Sequence, residues 1–229
     1  MNNNYVIIVA GGSGRRMDTD IPKQFLLLSG RPVLMHTCET FYRFSHSLSL
    51  IVVLPAEHIA NWEALCEKHS FNILHQIVIG GPERFYSVRN ALKTLTNLVG
   101  LVAIHDGVRP MVSHETIQTA FDAAELYGNA TPVVPVIESV RELTVSGNHI
   151  IDRSKLQLIQ TPQVFKSALI CKAYEQEYSN AFTDDASVLE KMGEKIVLTK
   201  GNPENIKITR PIDLIMAEAL MLTQLDVYH

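Results

Sequence analysis

Little in this chain of 229 residues marks it for export, membrane or nucleic acid. It has only three cysteines, Cys38, Cys66 and Cys171, odd in number and far apart. Neither a disulfide framework nor metal-ligand spacing can be built from them, so they read as buried free thiols in a reducing compartment. No basic region followed by a long apolar run opens the sequence, and no apolar run approaches the length of a membrane span. Cytoplasmic residence without membrane contact is the expectation. Excess basic charge is missing too: 20 Lys and Arg against 24 Asp and Glu leave a formal charge of −4. Sequence-independent nucleic-acid binding needs a broad basic face, so no nucleic-acid partner is expected. Any positive site has to be local.

What is present is globular material. Hydrophobic residues make up 46% of the chain, well above what a disordered segment carries. The length suits one large domain. Short β-branched runs at 5–10, 48–55, 75–81, 100–110 and 129–137 alternate with helix-period segments at 32–44, 56–70, 87–95 and 114–128. Continuous apolar strands spaced by helices imply an α/β fold, Rossmann-like, with a mostly parallel sheet covered on both faces. Right-handed crossovers then place loops 11–24, 80–87 and 105–110 along one sheet edge, at the strands' C-terminal ends.

Residues 138–160 break the alternation and read as a hairpin turning at "SGNH". An excursion that exposes Ile150 and Ile151 needs cover, and a second subunit is its simplest source. The expected organisation is thus a single domain over 1–229 with a β-arm at about 138–160. Helices at 183–193, with Thr183 as cap, and at 211–225 complete the chain around the segments "KIVLTKG" and "ENIKIT".

The three edge loops hold nearly all the unusual residues. In "VAGGSGRRM" (9–17), glycines let backbone N–H groups approach a ligand, and Arg15, Arg16 and, further on, Lys23 add cations around the same turn. Backbone donors plus cations after a first strand suit a polyphosphate. The stretch lacks the GK[ST] ending of a P-loop and the third glycine of G-x-G-x-x-G, which disfavours a dinucleotide oxidoreductase. In "HDGVRP" (105–110), Asp106 stands where a strand ends, a usual place for a carboxylate holding Mg²⁺ on phosphates. Its alternative use is to pair with Arg109, and His105 reads as a packed strand-end histidine. Lys207, inside the apolar "IKI", must face either solvent or a site. Cations and carboxylates without an activated nucleophile point to phosphoryl or nucleotidyl transfer, where positioning and charge stabilisation supply most of the catalysis.

The segments "AGGSGRRM…PKQF", "GGPERFYSV", "HDGVRP", "IQTPQVF", "TDDAS" and "NIKITRP", in this order over nearly the whole chain, closely resemble the 2-C-methyl-D-erythritol 4-phosphate cytidylyltransferase family. The resemblance implies transfer of CMP from CTP to the substrate phosphate, with release of pyrophosphate and use of Mg²⁺ or another divalent cation. It implies that Arg16, Lys23 and Lys207 act on the triphosphate. Ala10, Gly11 and Gly12 would approach the nucleotide, Gly81 and Ser87 would recognise cytosine, and Asp106 would bind the metal. Arg109, Ser139, Arg153, Thr161 and Thr183 match positions around the acceptor. The counterpart of Arg153 comes from the other subunit's arm, which implies a homodimer. The chain departs from the pattern at Pro82, where an acid is common, and at Ser139 and Glu204, where threonine and aspartate are frequent. A ribitol 5-phosphate cytidylyltransferase is the alternative acceptor reading.

Overall fold

The computed structural model describes residues 4–12 and 21–226. Strand β1 (Tyr5–Val9) is followed by a small hairpin, β2 (Leu27–Leu28) with β3 (Arg31–Pro32), and by helix α1 (Val33–Phe44). Then come β4 (Ser49–Leu54), α2 (Ala56–Lys68), β5 (Gln76–Ile79), α3 (Arg84–Leu92), β6 (Leu101–Asp106), α4 (His114–Tyr127) and β7 (Asn129–Pro135). The chain runs outward from β1 to β4 and β5, then returns to place β6 on the opposite flank of β1. All these pairings are parallel. The reversal beside β1 is a topological switch point, where the loops diverge and leave a crevice at the strands' C-terminal ends.

Register makes that crevice definite. Val9 lies opposite both Val53 and Asp106, and Leu54 lies opposite Ile79. The strands therefore end level, and the loops that follow leave from one edge. Alternate residues of β1 supply two cores, as strand pleating demands. Val6 and Ile8 pack with Leu34, Met35, Phe41 and Trp62 on one face, while Tyr5 and Ile7 pack with Val53, Val88 and Ile104 on the other. Burying each such aliphatic side chain contributes about 1.5–3 kcal/mol, which explains why β1 holds the edge rigidly. Of the three cysteines only Cys38 is buried. Cys66 and Cys171 are half-buried, and all three thiols are free.

The far side of the sheet differs from the sequence reading. Residues 157–166 form β10 (Gln157–Ile159) and β11 (Gln163–Lys166), both antiparallel to β7, with β11 seated between β6 and β7. Four residues carry too little periodicity to announce a strand, yet Val164 and Phe165 are fully buried and fix it there. The arm is β8 (Val140–Thr144) paired with β9 (Gly147–Ile151). Its turn falls at Val145–Ser146, taking in only the first residue of "SGNH", because Gly147 takes the positive φ of 145° that closes it.

Helices α5 (Ser167–Ala173) and α6 (Asp185–Glu190), strand β12 (Leu198–Lys200) on β7, and α7 (Pro211–Asp226) follow. The cap of α6 is Asp184 rather than Thr183. Its carboxylate accepts the Ser187 N–H and the Ser187 hydroxyl accepts the Asp184 N–H, a reciprocal box; the Thr183 N–H also donates to that hydroxyl, but the side chain that caps the helix is that of Asp184. Among the described residues no helix is long and apolar enough to cross a membrane.

Candidate active site

Four loops line one cleft above the level strand ends. The first contributes Ala10, Gly11 and Gly12, the second Gly81 to Ser87, the third Asp106 and Val108, and the last Lys207. Lys23 and Gln24 close the wall. Gln24 is buried and donates to the Ala10 carbonyl at 2.8 Å, which pins the glycine turn to the short helical turn Lys23–Phe25. A Cβ on Gly12 would lie 3.3 Å from Lys23 Cε and 3.7 Å from its Nζ. The ammonium thus lies along bare backbone. Opposite, a Cβ on Gly81 would collide with Tyr86 at 2.4 Å, so this loop can close only with glycine there. Its N–H donates to Ser87 Oγ at 3.1 Å, and that hydroxyl in turn donates to the Glu83 carbonyl. Ser87 therefore shapes the loop that it also lines.

The charges converge on Asp106. Its Oδ2 is 2.9 Å from Lys207 Nζ and accepts from Arg109 Nε at 3.1 Å, while Oδ1 faces Arg84 Nε at 3.8 Å. Burial alone would raise the Asp106 carboxyl, but Lys207, Arg84 and Arg109 outweigh it and hold the group well below the usual carboxylate range. It is ionised at any working pH. Lys207 gets there by the alternation expected of "IKI". Ile208 is fully buried and donates its N–H to the Val108 carbonyl, so the lysine between it and Ile206 turns to the cleft. Arg109 also donates to the Asn205 carbonyl at 2.7 Å, tying the third loop to the last.

His105 lies beneath, fully buried, with Nε2 at the Arg109 carbonyl and Nδ1 at Thr161 Oγ1. Burial, the dominant influence, pushes it down to about 4, so it is neutral at pH 7 and takes no general-base role.

Of the residues singled out in the sequence, Ala10, Gly11, Gly12, Lys23, Gly81, Ser87, Asp106 and Lys207 meet in this cleft. Arg109 reaches it through Asp106. Thr161 is buried, and its hydroxyl accepts the Asp106 N–H at 3.1 Å, so it supports the carboxylate from behind. Thr183 is exposed at the entry to α6. Ser139 and Arg153 stand on the arm, exposed, with Arg153 donating to the Ile137 carbonyl. Arg16 lies outside the described residues.

Two participants escape sequence reasoning. Arg84 forks onto Asp185 with both terminal nitrogens at 2.6 Å, and Asp185 has no exposed surface. "TDDAS" reads as a helix start with both aspartates favoured by the helix dipole, which hides that the second is a buried counter-ion. The signal available was an arginine just after a strand-end glycine pair.

Among the described residues no three His, Cys, Asp or Glu side chains group to hold a metal. Among the described residues two carboxylates line the cleft, Glu83 just before α3 and Asp106 at a strand end among the cations. One ionised carboxylate fits Mg²⁺, which takes its remaining ligands from phosphates and water, and does not fit a metal held by protein alone.

With a backbone cradle and fixed cations but, among the described residues that line the cleft, no nucleophile beside a base, the architecture is that of a nucleotidyltransferase, acting at the switch point of a Rossmann-like sheet. Comparison narrows this class. Residues 4–223 match the family of 2-C-methyl-D-erythritol 4-phosphate cytidylyltransferase, and the chain belongs to that family. It is 51% identical to the 2-C-methyl-D-erythritol 4-phosphate cytidylyltransferase of Phocaeicola vulgatus over 219 residues, covering 96% of this chain and all of the relative. The enzyme of the same name from Bacteroides fragilis is 52% identical over 215 residues, covering 94% and 98%. The crystal structure of 4-diphosphocytidyl-2C-methyl-D-erythritol synthase from Anaerococcus prevotii superposes with a TM-score of 0.81 at 28% identity, covering 96% of this chain and 99% of that one.

Proposed function

We propose that the cleft transfers CMP from CTP to 2-C-methyl-D-erythritol 4-phosphate, giving 4-diphosphocytidyl-2-C-methyl-D-erythritol and pyrophosphate. The observation that carries this reading is that Lys23, Lys207 and Asp106, far apart in sequence, line one cleft with the Gly11–Gly12 backbone. An oxygen of the acceptor phosphate attacks the α-phosphorus of CTP, and the bond to the β-phosphate oxygen breaks. A phosphate monoester is already mostly a dianion at neutral pH, since its second pKa is near 6, so no residue has to remove a proton. The difficulty is to bring two anions together. Lys23, Lys207 and Arg16 neutralise the triphosphate and the charge developing on the α-phosphate. Two charges about 4 Å apart interact by roughly 1 kcal/mol in water and roughly 4 at an effective dielectric of 20, so confinement in the cleft matters.

Asp106 would hold Mg²⁺ or another divalent cation, which supplies further neutralisation of the phosphates. Ala10, Gly11 and Gly12 meet the nucleotide through backbone groups, and Gly81 and Ser87 shape the pocket for cytosine. Pro82 on that wall has no N–H to offer the base. Arg109 and Thr161 hold the acceptor side of Asp106, and Thr183 faces the acceptor from the entry to α6. We further assign residues 1–229 to one nucleotidyltransferase domain whose arm pairs with a second copy. Ser139 and Arg153 then serve the partner's acceptor. Support comes from the arm's exposed apolar side chains, Leu143 and Ile150 among them.

The test is acceptor choice. Purified protein with CTP and Mg²⁺ should release pyrophosphate on adding methylerythritol phosphate and far more slowly with ribitol 5-phosphate. The reverse preference would replace the acceptor and leave the reaction class standing.

A further inference from the structure

We propose that Arg84 is a positioning residue for the nucleotide half of the site, held in place by Asp185 and acting on Asp106 and on the loop at 81–87. The inference rests on the reading of the cleft as a CTP site. Arg84 is the first residue of α3 and lies on the cleft wall beside Gly81 and Pro82. Its fork is engaged behind that wall: Nη1 and Nη2 each lie 2.6 Å from one oxygen of Asp185. Its Nε looks the other way along the guanidinium, to Asp106 Oδ1 at 3.8 Å. One planar group thus spans two carboxylates from different parts of the chain. Lysine, a point charge, could serve one of them at a time.

Asp185 is itself fixed. It has no exposed surface and takes a third hydrogen bond from the Tyr174 hydroxyl at 2.6 Å. The helix that carries it is anchored by buried Gln163, which accepts the Ala186 N–H and donates to Asp184. Buried ion pairs of this kind add little net stability compared with well-packed apolar residues. Their worth lies in direction. Here the direction is specific: with Oδ1 of Asp106 drawn toward Arg84, Oδ2 is left to Lys207 and Arg109, and the carboxylate keeps one orientation at the cleft floor. The same guanidinium fixes the start of α3, where the Gly81 to Ser87 hydrogen bond closes the opposite wall.

Asp185 is absent from the cleft lining, and Arg84 is the partner that links it to a lining residue, so the two residues are tested together. Calorimetric titration of CTP in the presence of Mg²⁺, with melting curves to confirm folding, should show about tenfold weaker binding for Asp185→Asn and for Arg84→Lys. The double variant should be no weaker than the worse single one, because both changes break one chain of contacts. KM for the acceptor should stay within about twofold. Wild-type affinity in Asp185→Asn, or losses that multiply in the double variant, would overturn the proposal. If Asp185→Asn does not fold, Asp185→Glu keeps the charge and displaces the guanidinium. A several-fold loss of CTP affinity is then expected, and unchanged affinity refutes it. Failure of the wild-type protein to bind CTP would instead remove the reading of the cleft on which the proposal stands.

Discussion

In the cleft, charge is closed within the chain: Lys207, Arg109 and Arg84 surround Asp106, and Arg84 is shared with buried Asp185. In the arm the opposite holds for apolar surface. Leu143, Val145 and Ile150 are 83%, 110% and 70% exposed. Arg141 lies opposite Ile150 and Leu143 opposite Asn148, so by the two-residue period Leu143 and Ile150 share one face of the hairpin. A two-stranded hairpin is marginal by itself. The contrast is between a cluster whose charges are answered inside one chain and a hairpin whose apolar side chains are left exposed; on the reading proposed above, the first serves the nucleotide and the second awaits another copy.

The sharpest way to break that contrast is to remove the cations. Lys23→Ala and Lys207→Ala should each lower kcat/KM for pyrophosphate release by about 10²–10³-fold, the usual loss when a fixed electrostatic stabiliser is deleted. Neither side chain belongs to the core, so melting temperatures should stay within a few degrees. Near wild-type turnover in either variant would mean that the cleft is a passive groove.

Next comes the arm. Ile150→Glu places a charge on the shared apolar face and should convert a dimer to a monomer in analytical ultracentrifugation. Turnover with saturating CTP should fall about tenfold or more if Arg153 serves the partner's acceptor as proposed, while CTP binding persists. A wild-type protein that sediments as a monomer would remove the dimer from the account.

These two regions were not equally legible in the sequence. The level strand ends and their loops were, because β-branched runs such as 5–10 and 100–106 announce buried parallel strands and the odd residues follow each run. The arm was also visible as a break in alternation, though its turn lies at 145–146 rather than across "SGNH", with Gly147 closing it. What stayed hidden depends on distant pairing. Strand β11 has only four residues, and its burial is conferred by neighbours in β6 and β7. Arg84 and Asp185 are 101 positions apart and become a pair only through the fold. For Lys207 the sequence by itself left solvent or a site open, and the docking of its segment on Val108 turns it to the cleft.

The smallest effect tests whether the cleft's order, unlike the arm's, depends on buried groups. The arm's own histidine, His149, is exposed and lies against Glu142. His105 is enclosed, and its folded value of about 4 lies below the ordinary 6.5. The unfolded chain therefore takes up the proton first as pH falls. Stability from this residue is complete above about pH 6.5, declines as pH drops toward 4, and levels off below, a loss of about 3 kcal/mol. Asp106 contributes little in this window, since the stability from its depressed carboxyl is lost from about the ordinary value of 3.8 downward, and that loss is common to the wild type and the variant compared below. Urea unfolding at pH 7 and pH 4 should therefore show a steeper acid loss in the wild type than in His105→Gln, which cannot titrate. The rate profile between pH 6 and 8 should be alike in both, because there the acceptor phosphate titrates and the imidazole does not. Equal acid slopes would mean that the strand end is solvated in solution and that its rigidity comes from elsewhere.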